Sequence, residues 1–138
     1  MTRRSSIDSY RKTRVDHASE TAEDYVEAID ELIEQEGLCR VTTLARRLGI
    51  SHVTVSRTLS RLASEDLIET EPYRPIVLTD KGHALAAWAR QRHELVLSFL
   101  KALGVPEDVA IPDAEGMEHH CSPKTLSAMK RFLKETRS

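Results

Sequence analysis

The segment Asp113-Ala114-Glu115-Gly116-Met117-Glu118-His119-His120 crowds carboxylates and imidazoles into a short space. In helical form, Glu115, Glu118 and His119 stand at i, i+3 and i+4 and project from one face, so two carboxylates and an imidazole converge. Carboxylates confined together repel and resist joint ionisation unless a counter-charge is present. A divalent cation supplies that charge. Oxygen and nitrogen donors of this kind are hard-to-borderline ligands that suit Mn²⁺ and tolerate Fe²⁺, whereas a thiolate favours zinc or copper. The competing reading is a solvated acidic helix face, and the pattern by itself leaves both open.

Other segments bear on that choice. From Ala22 to Glu36, Tyr25, Val26, Ile29, Leu32 and Ile33 recur at helical spacing, and Gly37 stands where the helix should stop. Asp24 and Glu27 lie three apart, beside this apolar stripe; taken alone they are ordinary surface charges. Val41 to Ile50 predicts a short helix ending in a glycine turn, and Ser51 can cap a second helix running through Glu65. The spacing is that of a helix-turn-helix, with Ala45, Gly49 and Val55 at its characteristic places. Val55, Leu59 and Leu62 form the inward stripe of the second helix. Val53, Thr54, Arg57 and Arg61 are left to face a DNA major groove.

Behind the second helix, Leu67-Ile68-Glu69-Thr70 and Ile76-Val77-Leu78-Thr79 flank a turn at Pro72-Tyr73-Arg74-Pro75. Such a hairpin reads as a wing, with Arg74 at its tip as a backbone or minor-groove contact. Thr79 then caps a helix over Asp80–Ala102 that stops at Gly104. Helices over about 106–119 and 123–135 complete a helical layer that should dimerise. His93 lies in the long helix as Arg92-His93-Glu94-Leu95; a lone helix histidine is more often a surface or core residue than a ligand.

The charge pattern separates these parts. Residues 21–36 carry seven acids and no bases, 37–66 five arginines against two acids, 93–120 one lysine against six acids, and 121–138 five bases against one acid. At 138 residues the chain holds one domain or two small ones. No apolar run is long enough to span a membrane, and no secretory signal is visible, so a cytoplasmic protein without membrane contact is expected. Cys39 and Cys121 are too far apart for a CxxC site and read as reduced thiols; the role of Cys121, next to His120, stays open. Residues 1–20 lack an apolar period and read as a mobile, mildly basic arm that either touches DNA phosphates or has no role.

Taken together, Glu23-Asp24-Tyr25-Val26-Glu27, the winged helix-turn-helix, Arg92-His93-Glu94-Leu95 and the 113–120 segment resemble the manganese-responsive branch of the diphtheria-toxin-repressor family of metal-dependent repressors. The resemblance runs from about residue 20 to the C-terminus. It implies six metal ligands: Asp24 and Glu27 from the first helix, His93 from the long helix, and Glu115, Glu118 and His119 from the acidic segment. Iron-responsive members carry Met at the place of Asp24 and Cys at that of Glu118, and often append an SH3-like domain; neither the soft ligands nor the length for that domain is present here.

The expected fold is therefore mainly α: an arm over 1–20, a winged helix-turn-helix DNA-binding domain over 21–82, and a helical metal-binding and dimerisation domain over 83–138, with no SH3-like domain. The expected function is a Mn²⁺-responsive repressor of manganese-uptake genes, a homodimer holding two ions per subunit, Fe²⁺ being an alternative ion, and binding a palindromic double-stranded DNA operator. Metal would brace the DNA-binding half against the dimerisation half, fixing the recognition helices near the separation of half-sites one turn, about 34 Å, apart. Two alternatives remain: a MarR-type winged-helix regulator sensing an organic ligand, and a binuclear metal hydrolase, which would make the chain an enzyme. No substrate-binding loop is visible for the latter.

Overall fold

The computed structural model describes the backbone of residues 3–136, and the side chains of residue 18 and of 20–136. The element order is α1 (Arg3–Glu36), α2 (Val41–Leu48), α3 (His52–Ser64), β1 (Ile68–Glu69), β2 (Val77–Leu78), α4 (Asp80–Ala102), α5 (Glu107–Met117), a 3-10 turn (Glu118–His120) and α6 (Pro123–Thr136). Two compact units result, one spanning 18–88 and the other 89–138 together with the start of α1. The division falls inside α4, after Trp88, rather than at Gly82. The first turns of α4 explain this, since Leu85 and Ala86 pack in the same core as the winged helix.

α1 begins at Arg3, well before the Ala22 expected from its apolar period. The helix thus runs through most of the stretch read from the sequence as an arm over 1–20. No proline or glycine interrupts residues 3–36, so nothing stops the helix once the buried stretch has nucleated it; an apolar stripe marks burial and is not required for propagation. The expected phosphate contacts of the arm involve side chains outside those described.

The first unit is built on the stripe of α1. Tyr25, Val26, Ile29 and Leu32 are buried against Leu44 of α2, Val55, Leu59 and Leu62 of α3, and Ile68, Ile76 and Leu78 of the hairpin. Between α2 and α3, Gly49 takes φ 69°, a left-handed conformation that closes the turn at little cost only for glycine. Ser51 caps α3, its Oγ accepting from Thr54 N at 3.2 Å.

β1 and β2 pair antiparallel, Ile68 with Leu78 and Glu69 with Val77. Cys39 adds a bridge to Ile76, whose N–H donates to the Cys39 carbonyl at 2.8 Å; this third edge of the wing was not expected. Burial, and then the charge of Glu36, push the Cys39 thiol up to about 11, so it stays protonated and inert. Thr79 caps α4 as expected: its hydroxyl donates to the Asp66 carbonyl at 2.6 Å and accepts from Gly82 N at 3.0 Å.

The second unit packs Val96 and Leu100 of α4 against Ala110 and Ala114 of α5 and Met129 of α6, with Phe99 and Phe132 edge-to-face at 5.4 Å. Trp88, an apolar residue of α4, is exposed. The α5 helix ends at Met117, so the single helical register expected through His119 is replaced by a 3-10 turn. Among the described residues the only named strands are the two of the wing, and no helix is long and apolar enough to cross a membrane.

Candidate functional site

Two sets of residues were expected to do chemistry, one facing metal and one facing DNA. On the metal side, the second unit gathers part of its share. Glu118 opens the 3-10 turn and is buried, at 5% exposure. Its Oε2 lies 2.7 Å from His93 Nδ1, brought in by α4, and its Oε1 lies 3.8 Å from His119 Nε2. A carboxylate placed between two imidazoles in a water-poor setting costs free energy unless positive charge is near. Arg92, the neighbour of His93, is also buried, and its Nη2 stands 3.0 Å from His119 Nδ1.

The remaining expected ligands are placed differently. Glu115 is exposed, one turn before the helix changes to 3-10 form. Asp24 and Glu27 lie on α1 in the first unit, Asp24 exposed and Glu27 half-buried. Among the described residues, no three His, Cys, Asp or Glu side chains are gathered tightly enough to hold an ion as they stand. His93 and Glu118 instead satisfy one another. The donor types present nevertheless fit a hard-to-borderline divalent ion: a buried carboxylate with an imidazole beside each oxygen is the oxygen-and-nitrogen set such ions take. Sequence reasoning passed over Arg92, although its position directly before His93 was the available signal.

On the DNA side, α3 presents Val53, Thr54 and Arg57 to solvent, Val53 at 63% exposure. The Thr54 hydroxyl accepts from Ser51 Oγ at 3.0 Å, which fixes its rotamer at the start of the helix. Arg61 behaves otherwise: it is half-buried, and its Nη2 donates to the Ala18 carbonyl of α1 at 3.4 Å, while its Nε lies 3.9 Å from Glu65. Arg61 thus ties α3 to α1. At the wing tip Arg74 is exposed and paired to Glu71 at 3.3 Å, and the fully exposed Tyr73 has φ 65°, an unusual conformation for an aromatic residue. Arg57→Ala should weaken operator binding by about 1–3 kcal/mol without changing the melting temperature. Arg61→Ala should lower stability by roughly 1 kcal/mol through the lost bond to α1. Fluorescence anisotropy on operator DNA and thermal melts of both variants separate the two roles.

Comparison with known proteins bears on both halves of the chain. Residues 17–76 match the family model described as the iron dependent repressor, N-terminal DNA binding domain, and residues 79–138 match that of the iron dependent repressor, metal binding and dimerisation domain. The transcriptional regulator MntR of Escherichia coli is 44% identical over 129 residues, covering 94% of this chain and 83% of that protein. This chain belongs to the diphtheria-toxin-repressor family of metal-dependent transcriptional regulators.

The HTH-type transcriptional regulator MntR of Bacillus subtilis is 39% identical over 100 residues, 72% of this chain and 70% of that protein. A solved structure described as a manganese-dependent transcriptional repressor complex with manganese is 30% identical, with a TM-score of 0.70, and covers 82% of this chain. This chain spans about half, 52%, of the length of that solved one. As a family member, the chain is a metal-responsive DNA-binding regulator that pairs with a second copy of itself, and not an enzyme. Neither the organic-ligand regulator nor the hydrolase finds support among these relatives.

Proposed function

We propose that the chain is a Mn²⁺-responsive repressor of manganese-uptake genes that binds a palindromic operator as a homodimer. The observation that carries the metal half of this reading is Glu118, a buried carboxylate with His93 and His119 at its two oxygens, within the segment that matches the metal-binding family model. The relatives named for manganese support the choice of ion. Asp24, Glu27, His93, Glu115, Glu118 and His119 are the proposed ligands, with two ions per subunit, and Fe²⁺ is the second candidate because the set lacks a thiolate.

When bound, the metal would supply positive charge that offsets the mutual repulsion of its carboxylate ligands. The chain's own residues do the rest. Val53, Thr54 and Arg57 on α3 and Arg74 on the wing meet the DNA, and the capped, left-handed turn at Gly49 sets the angle at which α3 is offered. If the loaded form is the one whose two recognition helices match the half-site spacing, metal and operator tighten each other's binding by the same factor.

The test is a chelator titration. Operator affinity of the full chain, measured by anisotropy, should fall by at least about tenfold on adding EDTA and return on adding excess Mn²⁺, in line with the coupling usual between linked sites. Affinity unaffected by chelation would refute the metal-dependent reading.

A further inference from the structure

The contact between Arg92 and His119 bears on how the metal is admitted. An arginine guanidinium has donors only, so at 3.0 Å the Nδ1 of His119 must be the acceptor. A neutral imidazole carries one proton, which is then on Nε2. A metal ion needs a ring nitrogen with an open lone pair. In this arrangement one nitrogen holds the proton and the other is taken by Arg92. We infer that Arg92 is an internal competitor of the metal, a guanidinium that holds His119 in the metal-free chain and has to release it before the ring can serve as a ligand.

Both modes of ligation lead to the same requirement. Ligation through Nδ1 displaces the guanidinium directly. Ligation through Nε2 needs the proton moved to Nδ1, where it would point at another donor, so the hydrogen bond to Arg92 again breaks. The contact is shielded from water, because Arg92 is 5% exposed and the His119 side chain 10%, which makes its loss felt in the metal affinity. The guanidinium also places one positive charge at a cluster whose carboxylate, Glu118, lies 3.8 Å from the same imidazole. Binding of a divalent ion is then an exchange of cations at His119. The consequence is a threshold: metal must exceed the concentration at which it outcompetes a side chain that is always present.

This inference rests on His119 being a ligand, and the experiment tells the two failures apart. Mn²⁺ alone is titrated into the full chain and into Arg92→Met and His119→Ala, with thermal melts alongside. Methionine keeps the length and apolar stem and removes the donors and the charge. Arg92→Met should bind Mn²⁺ about tenfold more tightly, since a charge-assisted hydrogen bond no longer has to be broken. Long-range nitrogen–proton correlation NMR of the metal-free native chain should show His119 as the Nε2–H tautomer, a readout that does not depend on any variant folding. Unchanged or weaker Mn²⁺ binding by a folded Arg92→Met, or an Nδ1–H tautomer in the native chain, would overturn the inference. Wild-type Mn²⁺ affinity in His119→Ala would overturn the ligand assignment itself.

Discussion

Replacing Glu118 with glutamine should abolish the response of operator binding to Mn²⁺ while leaving the fold in place. Glutamine has nearly the size of glutamate and keeps a carbonyl oxygen that can accept from His93 Nδ1, now at 2.7 Å from the carboxylate. What it loses is the charge. Of the six proposed ligands, Glu118 is the only carboxylate that is buried, so water does not make good the loss. The drop in Mn²⁺ affinity should exceed the roughly 10–100-fold that removal of an outer-shell partner costs, because here a ligand is removed. Calorimetric Mn²⁺ titration and operator anisotropy across a Mn²⁺ series measure both effects, with a melt as the control for folding. A variant that still binds operator at the native Mn²⁺ concentration would remove Glu118 from the ligand set.

The second large effect is on stability, and it concerns a residue with no side chain. A Cβ on Gly82 would lie 2.0 Å from the Leu67 carbonyl oxygen, 3.1 Å from the carbonyl carbon and 3.2 Å from Leu78 Cδ2. The two nearer atoms are backbone and cannot swing aside. Leu67 is also pinned from both sides: its N–H donates to Leu62 at 3.0 Å, and its carbonyl accepts from Thr79 N at 3.1 Å. Gly82→Ala therefore has to push the first turn of α4 away from the end of α3 or break the Thr79 cap. A loss of about 3 kcal/mol, at the upper end of what overpacking costs, is expected. In a domain of this size that corresponds to a fall of roughly 10 °C in melting temperature. Gly116→Ala is the matched control, since nothing lies within 4 Å of its added Cβ and it sits within α5, where alanine is the better helix former. It should be neutral or slightly stabilising. Equal melting temperatures for Gly82→Ala and the native chain would show that the close approach of α4 to Leu67 is not a fixed feature of the fold.

Much of this protein was legible in its sequence for local reasons. The limits of α2, α3, α4 and α6 follow from glycine stops, from hydroxyl caps at Ser51 and Thr79, and from apolar periods, all of which act within a few residues. The same holds for Val55, Leu59 and Leu62 facing the core, because side-chain direction on a helix is set by spacing. The donor types of the 113–120 segment also follow from composition alone. Where the start of α1 was misplaced, the fault lay in the signal used: apolar period reports which part of a helix is buried, whereas residues 3–20 continue the helix without that mark.

Tertiary structure decided what depends on partners distant in the chain. Nothing near Arg61 in sequence announces that its guanidinium meets the carbonyl of Ala18, 43 residues away. Cys39 gains its strand bridge from Ile76, and the absence of a Cβ at Gly82 matters only because the Leu67 carbonyl arrives there. The candidate metal centre divides along the same line. Spacing placed Glu115, Glu118 and His119 on one helical face, but the helix ends at Met117, leaving Glu115 exposed and turning Glu118 into the core beside His93, 25 residues away. Arg92 reaches His119 across a similar interval. Local sequence determines which groups can bind a metal, through the chemistry of their atoms; which of them lose water and meet one another is decided by packing, whose energies are summed over residues that the local pattern does not contain.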